Sequence, residues 1–77
     1  CNIYVNAHKT YDNIDISIYD IYGRRVHNLH SGKLRSGNNE FVWNGMDEYN
    51  NRCPSGIYFV RVTLDTKTIS KRIILIK

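Results

Sequence analysis

Between Ile14 and Tyr19 the chain alternates strictly. Ile14, Ile16 and Ile18 fall on one side, and Asp15, Ser17 and Tyr19 on the other. A two-residue period of this kind belongs to a half-buried β-strand and not to a helix. The pattern recurs elsewhere. Tyr58, Val60, Val62 and Leu64 share a side of the run 57–65, and Phe41 and Trp43 share a side of 39–43. Shorter β-type runs cover 2–7 and 25–30, and 68–76 ends on Ile73-Ile74-Leu75-Ile76. Polar, turn-forming stretches separate them at 9–13, 20–24, 31–38, 44–56 and 65–67. Six or seven short strands at this spacing predict an all-β fold, a small antiparallel β-sandwich.

Two local details sharpen the prediction. Gly23, closing Asp20-Ile21-Tyr22-Gly23-Arg24, is the residue expected at positive φ in a tight hairpin turn. Val26 and Leu29 are three apart, so both reach the core only if their strand bulges or ends between them. Alanine occurs once, at Ala7, which argues against a helical bundle.

At 77 residues the chain is expected to form one domain over 1–77. A chain of this size buries only about 60% of its unfolded surface, so its stability margin is thin. It opens without Met on strand-like sequence, which reads as a fragment of a longer protein. The net charge of +4 comes from Lys and Arg spread along the chain. Only Arg24-Arg25 and Lys71-Arg72 are adjacent, so a nucleic-acid footprint is not expected. No apolar run approaches the roughly 20 residues of a membrane-spanning helix.

Reactive chemistry is sparse. His27 and His30 are three apart on a strand, a spacing that places them on opposite faces and argues against shared metal ligation. Cys1 and Cys53 fit no zinc spacing and permit one disulfide, although Cys53 also suits a small buried hydrophobe. No Ser sits in a nucleophile elbow. Asp47-Glu48 reads as a solvated turn pair. The oxygen-rich loop 44–51 lacks the donor spacing of a calcium loop. Asp47 is instead expected to accept backbone N–H bonds, with Asn50 and Asn51 tolerating left-handed conformations. No catalytic residue, cofactor or metal site is expected. Trp43 reads as a core anchor beside Phe41. Six tyrosines leave an exposed aromatic face, and hence a carbohydrate-binding accessory role, as one alternative.

The segment from Trp43 to Tyr58 carries a family resemblance. Trp43, Gly45, Asp47 and the ending Pro54-Ser55-Gly56-Ile57-Tyr58 resemble the immunoglobulin-like module of the flagellar hook-capping protein. They also resemble the related type A C-terminal sorting domains of the type IX secretion system. Tyr19-Asp20-Ile21-Tyr22-Gly23-Arg24 is similar to another landmark of that superfamily, and the likeness runs over about 14–77. Asn50 stands where the family usually has Gly, and Cys53 where it usually has an apolar residue. The closing Lys71-Arg72-Ile73-Ile74-Leu75-Ile76-Lys77 resembles the end of a sorting domain, and tips the expectation that way.

The resemblance implies an immunoglobulin-like sandwich with Gly23, Trp43, Gly45, Asp47, Pro54, Gly56 and Tyr58 as its structural motif. It also implies that Lys71, Arg72, Ile73, Ile74, Leu75, Ile76 and Lys77 serve recognition by type IX translocon components, a sortase-like peptidase acting afterwards. On that view the chain follows a cargo domain and works outside the cell or at the outer-membrane surface. A structural module of a hook cap, or of another extracellular assembly, is the alternative.

Overall fold

The computed structural model describes residues 1–76; Lys77, named above with the recognition set, lies outside the described residues. Six strands form: β1 (Asn2–Ala7), β2 (Tyr11–Tyr19), β3 (Arg25–Leu34), β4 (Gly37–Val42), β5 (Gly56–Thr63) and β6 (Thr68–Leu75). They make two antiparallel sheets, a two-stranded β1-β4 and a four-stranded β3-β2-β5-β6. The fold is a small immunoglobulin-like β-sandwich.

The alternation in β2 explains the core. Ile14, Ile16 and Ile18 are buried, the last two completely. They meet Tyr58 and Val60 of β5, Leu75 of β6, and Ile3 and Ala7 of the small sheet. Burying a side chain of this size contributes about 2 kcal/mol. The terminal strand splits as alternation requires: Leu75 is buried and Ile73 half-buried, while Ile74 and Ile76 are exposed.

Two departures from the sequence reading share one cause, the bulged β2–β3 hairpin. The expected loop 31–38 is strand as far as Leu34, which pairs with Tyr11 and is buried. The expected turn 9–13 gives way to strand at Tyr11, and Asp12 and Asn13 fall at a register shift between Tyr11 and Ile14. Two more shifts leave Leu29 and Val26 as extra residues on β3, and both pack on the core. These are the bulges that their spacing demanded.

The same bulges overturn the expectation for the histidines. His30 pairs with Ile16 and His27 with Ile18, so both lie on the inner face. An extra residue between them cancels the odd spacing. They still do not converge on one site. The His30 ring tilts against Phe41 at 5.5 Å, and its Nε2 donates to the Lys33 carbonyl at 2.8 Å. His27 lies beside the loop that carries Asp47.

Candidate functional site

One end of the sandwich is a cleft of about 620 Å³ between the β2–β3 turn and the segment joining β4 to β5. Its floor rests on Trp43. The indole is 1% exposed and meets the Tyr58 ring edge-on at 5.0 Å, across the two sheets. Trp43 sits one residue past β4, yet its N–H still donates to the Cys1 carbonyl at 2.9 Å. Its Nε1 donates to the Met46 carbonyl at 2.9 Å, and the Tyr58 hydroxyl donates to the Pro54 carbonyl at 2.7 Å. The two buried aromatics thus hold both ends of the intervening loop by their polar tips. Burial raises the Tyr58 hydroxyl above its ordinary pKa, with the Cys53 and Asp20 charges acting the same way. The phenol therefore remains a donor.

Two loops form the walls, and they share one hydrogen-bond pattern. In the first, the Asp20 carboxylate accepts the N–H groups of Tyr22 and Arg24, both at 2.9 Å. The Asp20 N–H donates to the Arg24 carbonyl, and the Gly23 N–H to the Asp20 carbonyl. In the second, the Asp47 carboxylate accepts the N–H groups of Tyr49 at 2.8 Å and Asn51 at 2.9 Å. The Asp47 N–H donates to the Asn51 carbonyl, and the Asn50 N–H to the Asp47 carbonyl. The residue before the last has positive φ in each, 79° at Gly23 and 66° at Asn50. Only a residue tolerant of the left-handed region fits there. Each loop leaves a tyrosine in solvent, Tyr22 at 76% and Tyr49 at 85% exposure.

Both carboxylates sit below the ordinary 3.8. At Asp20 burial pushes upward, but the Arg24 and Tyr22 bonds and the Arg24 charge outweigh it. At Asp47 the Asn51 N–H is the largest cause, with help from Tyr49 and from the His27 charge against the cost of burial. Each is an acceptor already occupied by backbone, and neither is placed as a general base.

Charged side chains join the walls. Arg25 bonds Glu48 at 3.2 Å, and the Glu48 N–H donates to the Val26 carbonyl at 3.1 Å. Arg24 pairs with Asp20 at 2.9 Å and lies 5.2 Å from the centre of the Tyr22 ring. Arg52 also lines the cleft. The arrangement exposes two aromatic rings beside several guanidinium groups.

The sequence motif gathers here. Gly23 and Asp47 shape the two loops, and Trp43 and Tyr58 support them. The Gly45 carbonyl accepts the Cys53 N–H at 2.8 Å, and Pro54 and Gly56 line the cleft. Cys53 is buried and Cys1 exposed, with no disulfide between them. The terminal set is elsewhere: Lys71 to Ile76 lie on and beyond β6, which does not line this cleft. Among the described residues, no group of three or more His, Cys, Asp or Glu is placed to hold a metal ion.

Two features escaped the sequence. One is the likeness of the loops, although Asp-x-Tyr stands at both Asp20–Tyr22 and Asp47–Tyr49 as a visible signal. The other is a polar network on the outer face of the large sheet. Ser17, fully buried, donates to Asp15 at 2.7 Å, and the Asn28 amide donates to Ser17 at 3.0 Å and to Asp15 at 3.1 Å. Only the bulge at Leu29 brings Asn28 opposite Ser17, and no local pattern announces it.

Residues 1–68 match the profile of the family described as the FlgD Ig-like domain. The crystal structure of FlgD from P. aeruginosa matches with a TM-score of 0.68 and 26% identity over 96% of the chain. The chain spans 58% of the length of that FlgD. No curated protein sequence matches it. The family match stops at Thr68, the first residue of β6.

Proposed function

The chain belongs to the FlgD Ig-like domain family, and from that premise we propose that it is a non-catalytic structural module of an extracellular assembly of the hook-cap kind. The observation that carries this is the profile match over 1–68, joined to a sandwich that superposes on FlgD. The cleft supports it chemically. Its carboxylates are committed to backbone and salt-bridge partners, while Tyr22, Tyr49 and the arginines stand toward solvent. Such a surface suits docking against protein, since tyrosine and arginine contribute most where they become desolvated. The test is a chimera in which this chain replaces the Ig-like domain of P. aeruginosa FlgD. Hook assembly and swimming are expected to persist. A folded, stably expressed chimera that assembles no hooks would overturn the proposal.

A second reading is favoured by β6 alone. It lies almost wholly outside the family match, and it joins Lys71 and Arg72 to an apolar run that leaves Ile74 and Ile76 exposed. On this reading the chain is a sorting domain, read by type IX translocon components and a sortase-like peptidase at the outer-membrane surface. A reporter carrying the chain at its C-terminus, expressed in a type IX-competent bacterium, distinguishes the two. Export that falls when the charges of Lys71 and Arg72 are reversed supports sorting. A folded reporter retained inside the cell eliminates it.

A further inference from the structure

Asn44 and Gly45 form the one Asn-Gly pair of the chain, at the head of the loop that carries Asp47 and Tyr49. Asn44 is exposed, and its side chain folds forward: Oδ1 accepts the Met46 N–H at 3.0 Å, an Asx turn. That bend carries the carboxamide over the Asn44–Gly45 peptide. It also aims an N–H donor at the oxygen that gains charge when Cγ is attacked. The Gly45 N–H, among the described residues, donates to no acceptor, so no hydrogen bond has to break for its proton to leave. Glycine also lacks the Cβ that shields the following nitrogen at every other asparagine. Asn50, in the same loop, is a poorer case, because the Asn51 N–H is held by Asp47 at 2.9 Å.

We propose that Asn44 is a site of spontaneous deamidation in the folded chain, and that its isoaspartate product loosens the loop that displays Tyr49. The Gly45 nitrogen gives its proton to hydroxide and attacks the Asn44 Cγ. The new N–Cγ bond closes a cyclic imide. The Cγ–Nδ2 bond breaks, and Nδ2 leaves as ammonia after taking a proton from water, which restores the hydroxide. Water then opens the imide. Cleavage of the new bond gives aspartate. Cleavage of the original peptide bond gives isoaspartate, whose main chain runs through the side-chain carbons.

The two products act differently on the support of the loop. Aspartate keeps an acceptor for the Met46 N–H, and a charged one. Isoaspartate inserts an extra main-chain carbon between Trp43 and Gly45. The Trp43 indole reaches the Met46 carbonyl at 2.9 Å, and the Gly45 carbonyl accepts the Cys53 N–H at 2.8 Å. A longer backbone puts these two bonds out of step, because the indole is enclosed in the core and does not follow. The loop at Asp20 is closed by the pairing of Tyr19 with Arg25 and is untouched. The chemistry needs only water, so it holds under either functional reading.

The test is to hold the folded chain in mildly alkaline buffer and follow ammonia release, peptide masses and enzymatic methylation of isoaspartate. The amide-to-acid mass change is expected in the peptide holding 44–45, about tenfold or more faster than at any other asparagine. Its rate should rise in proportion to hydroxide. The isoaspartate form, separated by ion exchange, is expected to exchange the amides of 47–51 about tenfold faster than the parent, with 20–24 unchanged. Asn44→Asp is expected to keep 47–51 protected. Asn44→Ser, whose hydroxyl can accept the Met46 N–H but cannot form the imide, is expected to stay unmodified there. The proposal fails if the folded chain keeps its Asn44 amide while the urea-unfolded chain loses it, since the turn would then protect the site. It fails equally if the isoaspartate form leaves 47–51 as protected as before, or if Asn44→Asp loosens them as much.

Discussion

Asp20 and Asp47 each collect the N–H groups two and four residues ahead, and each loop lifts a tyrosine into solvent. What lies beneath them differs. The first loop joins β2 directly to β3, whose pairing begins at Tyr19 and Arg25 and sets its span. The second has no such hairpin. A single Met46–Arg52 bridge, the Cys53–Gly45 bond and the Trp43 indole on Met46 define its ends. One capping device thus serves in two mechanical settings, framed by strand pairing in one and propped from the core in the other.

Removing the prop should separate the loops most. Trp43→Ala is expected to cost about 3–5 kcal/mol, a large share of a small domain's stability. Trp43→Phe keeps a ring but loses the bond to Met46. In native-state hydrogen exchange it should loosen 47–51 while leaving 20–24 protected. Equal loosening of both loops would show that they share one support.

The next effect tests the hairpin turn. A Cβ on Gly23 would meet nothing within 4 Å, so crowding is not the obstacle there. Its φ of 79° remains. Gly23→Ala should therefore cost about 1–2 kcal/mol in denaturant unfolding. A neutral result would mean that the turn can relax out of the left-handed region.

The caps themselves rank third. Asp47→Ala is expected to lower the melting temperature more than Asp20→Ala, because strand pairing still closes the first loop when its cap is gone. Acid should reveal the same contribution. Both folded-state values lie below 3.8, so the unfolded chain takes up these protons first as pH falls. The stabilisation is present in full above 3.8 and is lost as pH falls through the lower folded-state values. The double Asp→Ala variant should show a shallower loss of stability over that range than the parent, and an identical slope would deny the caps any role.

The smallest effect is at Asn50. Asn already tolerates φ near 66°, so Asn50→Gly should change unfolding stability by less than about 0.5 kcal/mol. A large loss would assign the Asn50 side chain a contact beyond its backbone conformation.

Much of the sandwich was legible because burial on one face writes itself as alternation. Ile14, Ile16, Ile18, Tyr58 and Val60 show it plainly, and β1 was bounded correctly at Asn2–Ala7. Leu34 was lost because Gly32 looked like a loop residue. Its φ of 111° instead sits inside a paired strand. The histidine faces were lost because parity counting assumes an unbroken ladder, and one extra residue reverses it. At the site, turn chemistry gave Asp47 and Asn50, since their bonds are local. The meeting of the two loops was hidden, because Arg25 and Glu48 come together only through the packing of distant segments.

The three register shifts of the β2–β3 hairpin also bear on how the chain finds its shape. A regular hairpin slid by two residues restores the same facing pattern and can trap the chain in a near-copy of its native pairing. Here the extra residues fall at unequal intervals, one on β2 and two on β3. A slide that matches one of them mismatches the others. The strands behave like a key with irregular teeth, turning at one depth of insertion only. In a domain whose contacts are mostly between distant residues, such a key shortens the search by denying it a second answer.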